Sequence, residues 1–571
     1  VIQISKSHAI ATAACSALLN LRLYLRPNLY LNFMRVAAAI TALALGTALT
    51  PASAQTVDPS TLIGKVLVGY QGWFRCPGDG SPGNNWSHWS SNNAVPSAAT
   101  ITVDDYPDLT GMDPASLCPA VNYTIQGKPA YLFSSYPKQT AETHFAWMQE
   151  YGIDGVLAQR FIGEIPNQVA EHENSLRNIM AAAQDHGRVF AVEYDLSADY
   201  TGYSNAQILA VLQNDWNHLV NDLGITRSPA YLRHNGKPLV SLWGIGLTGN
   251  HISDPVLARE IITWFQQTAH ATVMGGVSNG WATPGQNGSA PGAGWAAVYA
   301  QLDVIQPWTV GVNSTIADAN AYLTQHLQPE MALTAKNHQL YMPVLIPGSA
   351  DHNADRSSYP NGAARLGGTL LWQQAYNARS VGAHAVKIAM FDEINEGTAI
   401  FKVASLRSQA PDQGYWLTLD ADGDVLPSDF YMRLAYEIKR TLAGTIPNSA
   451  TLPATPWLTT AANCGVLKSL QNLTPGRSIS SCDGRFKLLL QLDGNLVIYQ
   501  GSRAIWASGT VNQRVAQVLM QHDGNLVEYT ALGKAVWSSD TAGNYGAFIR
   551  LQDDGILSLI GSKGVVRSTA Q

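Results

Sequence analysis

Eight short apolar runs of β-forming residues constrain the fold more than any other feature of this sequence. They fall at residues 66–70, 155–158, 189–193, 238–243, 272–276, 304–307, 341–346 and 386–391. Between them lie segments with apolar residues at helical spacing, at 141–151, 174–186, 205–223, 255–270 and 365–381. Unbroken apolar runs mark strands buried on both faces, and strand–helix alternation marks a parallel sheet. Eight such units predict an α/β fold, a (β/α)8 TIM-like barrel over residues 55–445. The alternative is an open doubly wound sheet, although no Gly-rich phosphate loop follows the first run. With 46% hydrophobic and 13% charged residues the chain is globular, and its 571 residues leave room for more than one domain. A net charge of −6 argues against a nucleic-acid surface.

The start of the sequence predicts export. Met34-Arg35 precede an apolar run over 36–45 and a small-residue stretch ending at Ala54. One positive charge, a short apolar core and a small-x-small end describe a secretory signal cut after Ala54. The segment 1–54 is therefore read as targeting sequence with a start near Met34, and a secreted or periplasmic protein follows. A membrane anchor that also uses residues 11–25 is the other reading. Removing this segment removes Cys15 and leaves Cys76, Cys118, Cys464 and Cys482, which an oxidising compartment would join as two local disulfides.

Residues 446–462 lack charge and are rich in Pro, Thr and Ala, which predicts a semi-extended linker. Beyond it, from 463 to 571, the sequence repeats. Gln491, Asp493, Asn495, Val497 and Tyr499 recur at the same spacing as Gln521, Asp523, Asn525, Val527 and Tyr529, and a worn third copy starts at Gln552. Copies 30 and 31 residues apart predict stacked supersecondary units sharing a core, each a small antiparallel sheet. These residues resemble the bulb-type mannose-binding lectins, whose signature is QxDxNxVxY. The resemblance implies a small all-β (β-prism) domain in which Gln, Asp and Asn bond sugar hydroxyls, Val packs on the ring and Tyr adds a hydroxyl. The third copy carries Ile556, Ser558 and Ile560 in place of Asn, Val and Tyr, so its sugar site is expected to be dead. The alternative is that Gln, Asp and Asn merely close turns.

A barrel collects its chemistry at the C-terminal ends of its strands. There the sequence places Tyr70, Trp73, Gln159, Arg160, Glu193, Asp195, Trp243, Trp281, Trp308 and Asp392 as candidate substrate-binding residues, with Glu393 and Glu396 as candidate catalytic acids. Trp faces suit sugar rings, and paired carboxylates supply a proton and a base. Glu393 and Glu396 are three residues apart and would share one side if a helical turn starts there. Two neighbouring acids cannot both ionise easily, so one is expected to hold a proton at neutral pH.

The segment from Asp392 to Thr398 resembles the Asn-Glu-x-x-Glu-Gly-Thr motif of glycoside hydrolase family 99, the endo-α-mannosidases, and of family 71. Similar too are the aromatic first strand (Val68-Gly69-Tyr70-Gln71-Gly72-Trp73-Phe74) and the run HFAWMQEYGIDG from His144. The resemblance implies a retaining α-mannoside hydrolase without cofactor or metal. Glu393 would take the proton of the sugar's 2-hydroxyl as it attacks C1 to form an epoxide. Glu396 would protonate the leaving oxygen and then activate water. Asp392 stands where the motif has Asn, Ile394 where it has an aromatic residue and Phe401 where an acid often follows. An α-glucanase, a xylosidase or arabinosidase, and a non-catalytic glycan-binding protein stay open as alternatives. The expected partners are a glycan substrate and a mannose-type sugar at the lectin, with no nucleic acid and, after signal removal, no membrane. Asp420, Asp422 and Asp424 read as a turn rather than a calcium loop, because Val425 and Tyr431 stand at the sixth and twelfth positions. The Asp351-His352 pair lies in a polar loop that could reach substrate.

Overall fold

A computed structural model describes residues 56–453, 465–481, 485–501, 503–552, 555–561 and 564–569. The targeting segment, the second half of the linker and both Cys464 and Cys482 lie outside the described residues.

All eight apolar runs become parallel strands of one sheet. They are β1 (Val66–Tyr70), β4 (Gly155–Phe161), β5 (Val189–Asp195), β7 (Lys237–Ile245), β8 (Thr272–Ser278), β9 (Val304–Trp308), the pair β10 (Leu340–Tyr341) and β11 (Val344–Leu345), and β12 (Val386–Ile388). β6 (Arg233–His234) only adds an antiparallel flap to β7. The seventh strand is split at Pro343, which has no N–H to give a ladder. Its first half pairs with β9 and its second half with β12, while β12 pairs with β1. The strand changes partner at the proline, and the sheet closes on itself as a TIM-like barrel.

Helices follow most strands: α1 (Lys138–Glu150), α2 (Val169–Asp185), α3 (Asn205–His218), α4 (Pro255–Gln267), α5 (Trp295–Tyr299), α6 (Ile316–Tyr322), α7 (Gln328–Lys336), α8 (Thr369–Ser380) and α9 (Phe430–Leu442). Their starts carry the expected signals. Ser204 and Gln207 form a capping box on α3, and Asp254 with Pro255 opens α4. The sequence reading did not separate α6 and α7, whose apolar spacing is poor, nor the hairpin inside the first loop. That hairpin joins β2 (Leu117–Ile125) to β3 (Lys128–Phe133) through Gln126 and Gly127, both at positive φ (51° and 75°). Cys76 and Cys118 form a disulfide that staples it to the exit of β1. The bond closes a 42-residue separation. Replacing Cys118 by Ser is expected to lower stability by about 4 kcal/mol, read by urea unfolding under oxidising and reducing conditions.

The first half of the expected linker lies against the barrel. Ile446 and Leu452 pack on the barrel core, and the Trp372 indole of α8 donates to Ser449 O at 2.9 Å. The chain hugs the barrel there because it still carries apolar side chains. The C-terminal segment has its own core and three four-stranded antiparallel sheets. One holds β15 (Ser478–Ser480), β16 (Phe486–Leu490), β17 (Leu496–Gln500) and β18 (Arg503–Ala507). The next holds β14 (Asn472–Leu473), β19 (Val515–Met520), β20 (Leu526–Thr530) and β21 (Ala535–Ser538). The last holds β13 (Val466–Leu467), β22 (Phe548–Leu551), β23 (Leu557–Gly561) and β24 (Gly564–Ser568). This segment rests on the barrel. Lys468 pairs with Asp424, Phe548 packs at Gly423, and the rings of Tyr359 and Tyr545 lie 4.4 Å apart. The three aspartates weighed as a calcium loop are thus engaged elsewhere. Asp420 accepts from Arg407 N, Asp422 from Gly367 N, and Asp424 holds Lys468. Among the described residues no group of three or more His, Cys, Asp or Glu could hold a metal ion, and no helix is long and apolar enough to cross a membrane.

Candidate functional site

Strand alternation sorts the candidate residues before any chemistry is considered. Side chains two apart on a strand share a face, so Gln159 points inward and Arg160 outward. Inside the barrel, Glu193 is fully buried at the centre of a polar layer. It accepts from Lys387 Nζ at 2.5 Å, Ser241 Oγ at 2.7 Å and Gln159 Nε2 at 3.3 Å. Gly69 makes room for this layer: a Cβ there would lie 2.1 Å from Met390 Sδ and 3.3 Å from the Lys387 side chain. Lys387 Nζ also lies 5.1 Å from the centroid of the Trp308 ring. Glu193 is therefore the anchor of a buried ion pair and not a substrate ligand.

Three further expectations are corrected. Arg160 faces away from the barrel axis, where its Nε donates to Asp215 of α3 at 2.6 Å, and Tyr194 donates to the same carboxylate at 2.7 Å. Tyr70 also faces outward: it is buried with its hydroxyl 2.9 Å from His144 Nδ1, on α1. Trp281 is buried behind the rim, and its indole donates to Glu330 of α7 at 2.8 Å. In each case apolar area and hydrogen bonding to a helix residue fix the ring or fork.

The remaining candidates meet at the C-terminal end of the barrel. Asp392 is fully buried and accepts from the backbone N–H groups of Gln71 and Gly72, both at 2.8 Å. It ties the exit of β1 to the exit of β12 and acts as a brace more than as a ligand. Burial pushes its carboxyl up to about 6. Gln71 then aims its side chain at Glu393, donating from Nε2 to Oε1 at 3.0 Å. Residues 392–398 form an irregular turn instead of the helical turn expected, with Thr398 N donating to Glu393 O at 3.2 Å. Glu396 is half-buried, and its carbonyl accepts from Ala350 N at 2.7 Å.

The two glutamates feel each other and are unequal. Burial pushes the Glu393 carboxyl well above the ordinary glutamate range, and the Glu396 charge pushes it further, against the Gln71 hydrogen bond and the Lys387 cation. Burial also raises Glu396, with Asp351 and then Asp195 adding to it. Asp195 stands one layer above Glu193 on the same strand face, at the rim, and its own carboxyl is raised by burial. Trp243 and Trp308 meet edge to face at 5.4 Å, and Trp73 stacks on His88 at 3.9 Å and on Phe161 at 5.3 Å. Gln71 Oε1, Asn395 Oδ1 and the indole nitrogens of Trp73 and Trp243 are buried without a protein hydrogen-bond partner. Orphaned polar atoms of this kind, set around two acids, suit a polyhydroxyl ligand. Gln71, Lys387 and Asn395 are not singled out as site residues in the sequence, whereas Asp351 is named there with His352 as a loop pair that could reach substrate. Lys387 had a signal, being a cation inside an otherwise apolar strand.

In the C-terminal segment the two intact copies are built alike. Gln491 Nε2 donates to the Tyr499 hydroxyl at 2.6 Å, and Gln521 Nε2 to that of Tyr529 at 2.8 Å. Asp493 and Asp523 each accept from the backbone of the following Asn at 3.0 Å. Asn495 Oδ1 accepts from the backbone of Gly509 and Thr510, and Asn525 Oδ1 from Ser539 Oγ and Thr541 N. Val497 and Val527 are buried. Part of each motif therefore does shape its own turn. In the third copy Gln552 Nε2 turns to Ser558 Oγ at 3.1 Å, since no tyrosine is there.

A repeat-built domain of three sheets with two intact copies of one polar motif is a lectin-type module. The comparisons agree. A mannose-specific lectin of Aloe arborescens is 32% identical over 81 residues, which are 14% of this chain and 74% of that lectin. The C-terminal segment of the chain belongs to this lectin family. The B-type lectin plumieribetin of Scorpaena plumieri is 40% identical over 76 residues, 13% of this chain, and the match spans 66% of that lectin's length. No family model matches the chain. The N-terminal region is similar to the GH99 endo-alpha-mannosidase of Bacteroides thetaiotaomicron, with 15% identity over 67% of this chain and 99% of that one and a TM-score of 0.48.

Proposed function

We propose that this protein is an exported glycoside hydrolase that cleaves α-mannoside-containing glycan with retention of configuration. Its domains would be a catalytic barrel over 55–445, a linker over 446–462 and a β-prism lectin over 463–571 that holds mannose-type sugar. The observation that carries the reading is the pair Glu393–Glu396 at the barrel mouth, with Gln71 bonded to Glu393 and unpartnered buried oxygens on Gln71 and Asn395. One proton shared by two acids is what the reaction requires. In the form with the proton on Glu396 the charge that raises Glu393 is gone, and Glu393, ionised against its burial with the Gln71 amide and Lys387 favouring its anion, takes the proton of the sugar's 2-hydroxyl while O2 attacks C1. The glycosidic bond breaks, and protonated Glu396 gives its proton to the leaving oxygen. Glu396 then takes a proton from water, which attacks C1 as the C1–O2 bond breaks, and Glu393 returns its proton to the departing O2. Two inversions leave the anomer retained.

The test is incubation of the mature chain with α-mannan and assignment of the first anomer released; an inverted product sinks the epoxide route. The pH profile of kcat/KM is expected to be a bell. Below its acid limb both glutamates are protonated and no base remains; above its alkaline limb both are ionised and no acid remains. Both carboxyls lie above the ordinary 4.5, so the bell is expected above the usual carboxylate range.

For the lectin, calorimetric titration with methyl α-mannoside is expected to give two sites per chain. Replacing Asn525 by Ala should reduce this to one, because it removes the acceptor that shapes the second turn. A third site would show that the Gln552 copy is alive.

A further inference from the structure

One of the barrel loops that the lectin touches leads to the acids. Residues 349–363 form a hairpin-like excursion after the seventh strand, closed by mutual backbone bonds between Ser349 and Ala363 at 3.0 and 2.8 Å. At its base, Ala350 N donates to Glu396 O, and Asp351 is the first charge raising the Glu396 carboxyl. Beyond its tip, Tyr359 is 60% exposed, yet its ring lies 4.4 Å from Tyr545 of the lectin. Tyr545 in turn lies 5.9 Å from the ring of His522. His522 is the second residue of the second lectin motif, between Gln521 and Asp523, and its carbonyl accepts from Gly546 N at 2.9 Å. The fit is close at this point: a Cβ on Gly546 would lie 2.8 Å from Asn361 Nδ2.

The first copy has Leu492 where the second has His522, and Leu492 is 86% exposed. An aromatic residue thus occupies this position in the copy that abuts the barrel. From Ala350 to Tyr359 is nine residues, a reach of at most about 30 Å. We propose that Tyr359, Tyr545 and His522 form a glycan-binding platform across the domain junction, on which a neutral chain leaving the Glu393–Glu396 cleft passes to the second lectin site. Flat rings with one exposed face stack on the apolar face of a pyranose, and their polar tips reach its hydroxyls. The ligand class is a linear, uncharged hexose polymer. The inference rests on the mannan-directed reading above and adds that one chain engages both domains. Affinity for long chains then exceeds that for short ones through a single continuous contact.

The test uses the full chain carrying Glu393→Gln, so that the ligand survives, titrated with a long linear α-mannan fragment, a mannotriose and methyl α-mannoside. Adding Tyr359→Ala or Tyr545→Ala is expected to weaken long-chain binding about tenfold and to leave the other two ligands within twofold. Tyr359→Phe, which keeps the ring, is expected to retain long-chain affinity. The proposal is overturned if the Ala variants weaken all three ligands equally, if they leave the long chain unaffected, or if the parent binds the long fragment no more tightly than the trisaccharide. A wild-type chain that releases no sugar from any mannan removes the hydrolase reading alone, since the ring-dependent affinity is measured without turnover.

Discussion

Replacing Glu393 by Gln is expected to lower kcat on α-mannan by about a thousandfold or more while the thermal transition stays in place. The side chain is buried and already disposed to be neutral, so an amide of the same shape relieves repulsion instead of creating it. The Gln71 hydrogen bond to Oε1 can persist. Chemistry is lost because an amide cannot take a proton from the sugar. Glu396→Gln is expected to lose as much on mannan but, on an aryl mannoside whose leaving group needs no proton, to recover the first step, release of the aryl group, while the second step still lacks its base. If both variants stay within tenfold of the parent on every substrate, the acids at the mouth do not carry the reaction.

Replacing Lys387 by Met is expected to destabilise the barrel by about 3–5 kcal/mol in urea unfolding. Lys387 and Glu193 are both fully buried and joined at 2.5 Å, so the variant strands a carboxylate inside the barrel. Converting Glu193 to Gln as well should return most of the loss, since the remaining polar groups can then pair with Ser241 and Gln159. Lys387 also lowers the proton affinity of Glu393. Its removal should therefore move the acid limb of the pH profile upward. A single variant as stable as the parent would contradict the buried pair.

The strands were legible because burial on both faces leaves unbroken apolar runs, and all eight were placed. The closure was not, because Pro343 hides a change of partner inside what reads as one strand. Candidate residues were found by their distance past each strand, which locates a rim but does not say which way a side chain turns. Arg160 and Tyr70 failed on that parity, each belonging to the outward face. Glu193 failed because its partner Lys387 lies 194 residues away on the last strand, a separation that no local pattern encodes. Gln71 was overlooked because an amide beside an aromatic gives no spacing signal until the acids are folded against it. The lectin motif was legible because it is local, repeated and closed within nine residues.

The polar layer of Gln159, Glu193, Ser241 and Lys387 gives the barrel's interior a consequence of its own. It plugs the cylinder directly beneath Glu393 and Glu396, so the cavity is a cul-de-sac and not a tunnel. Whatever enters must leave by the same opening. A long polymer then has to lie across that opening or dip one end into it, and threading through the protein is barred by geometry alone.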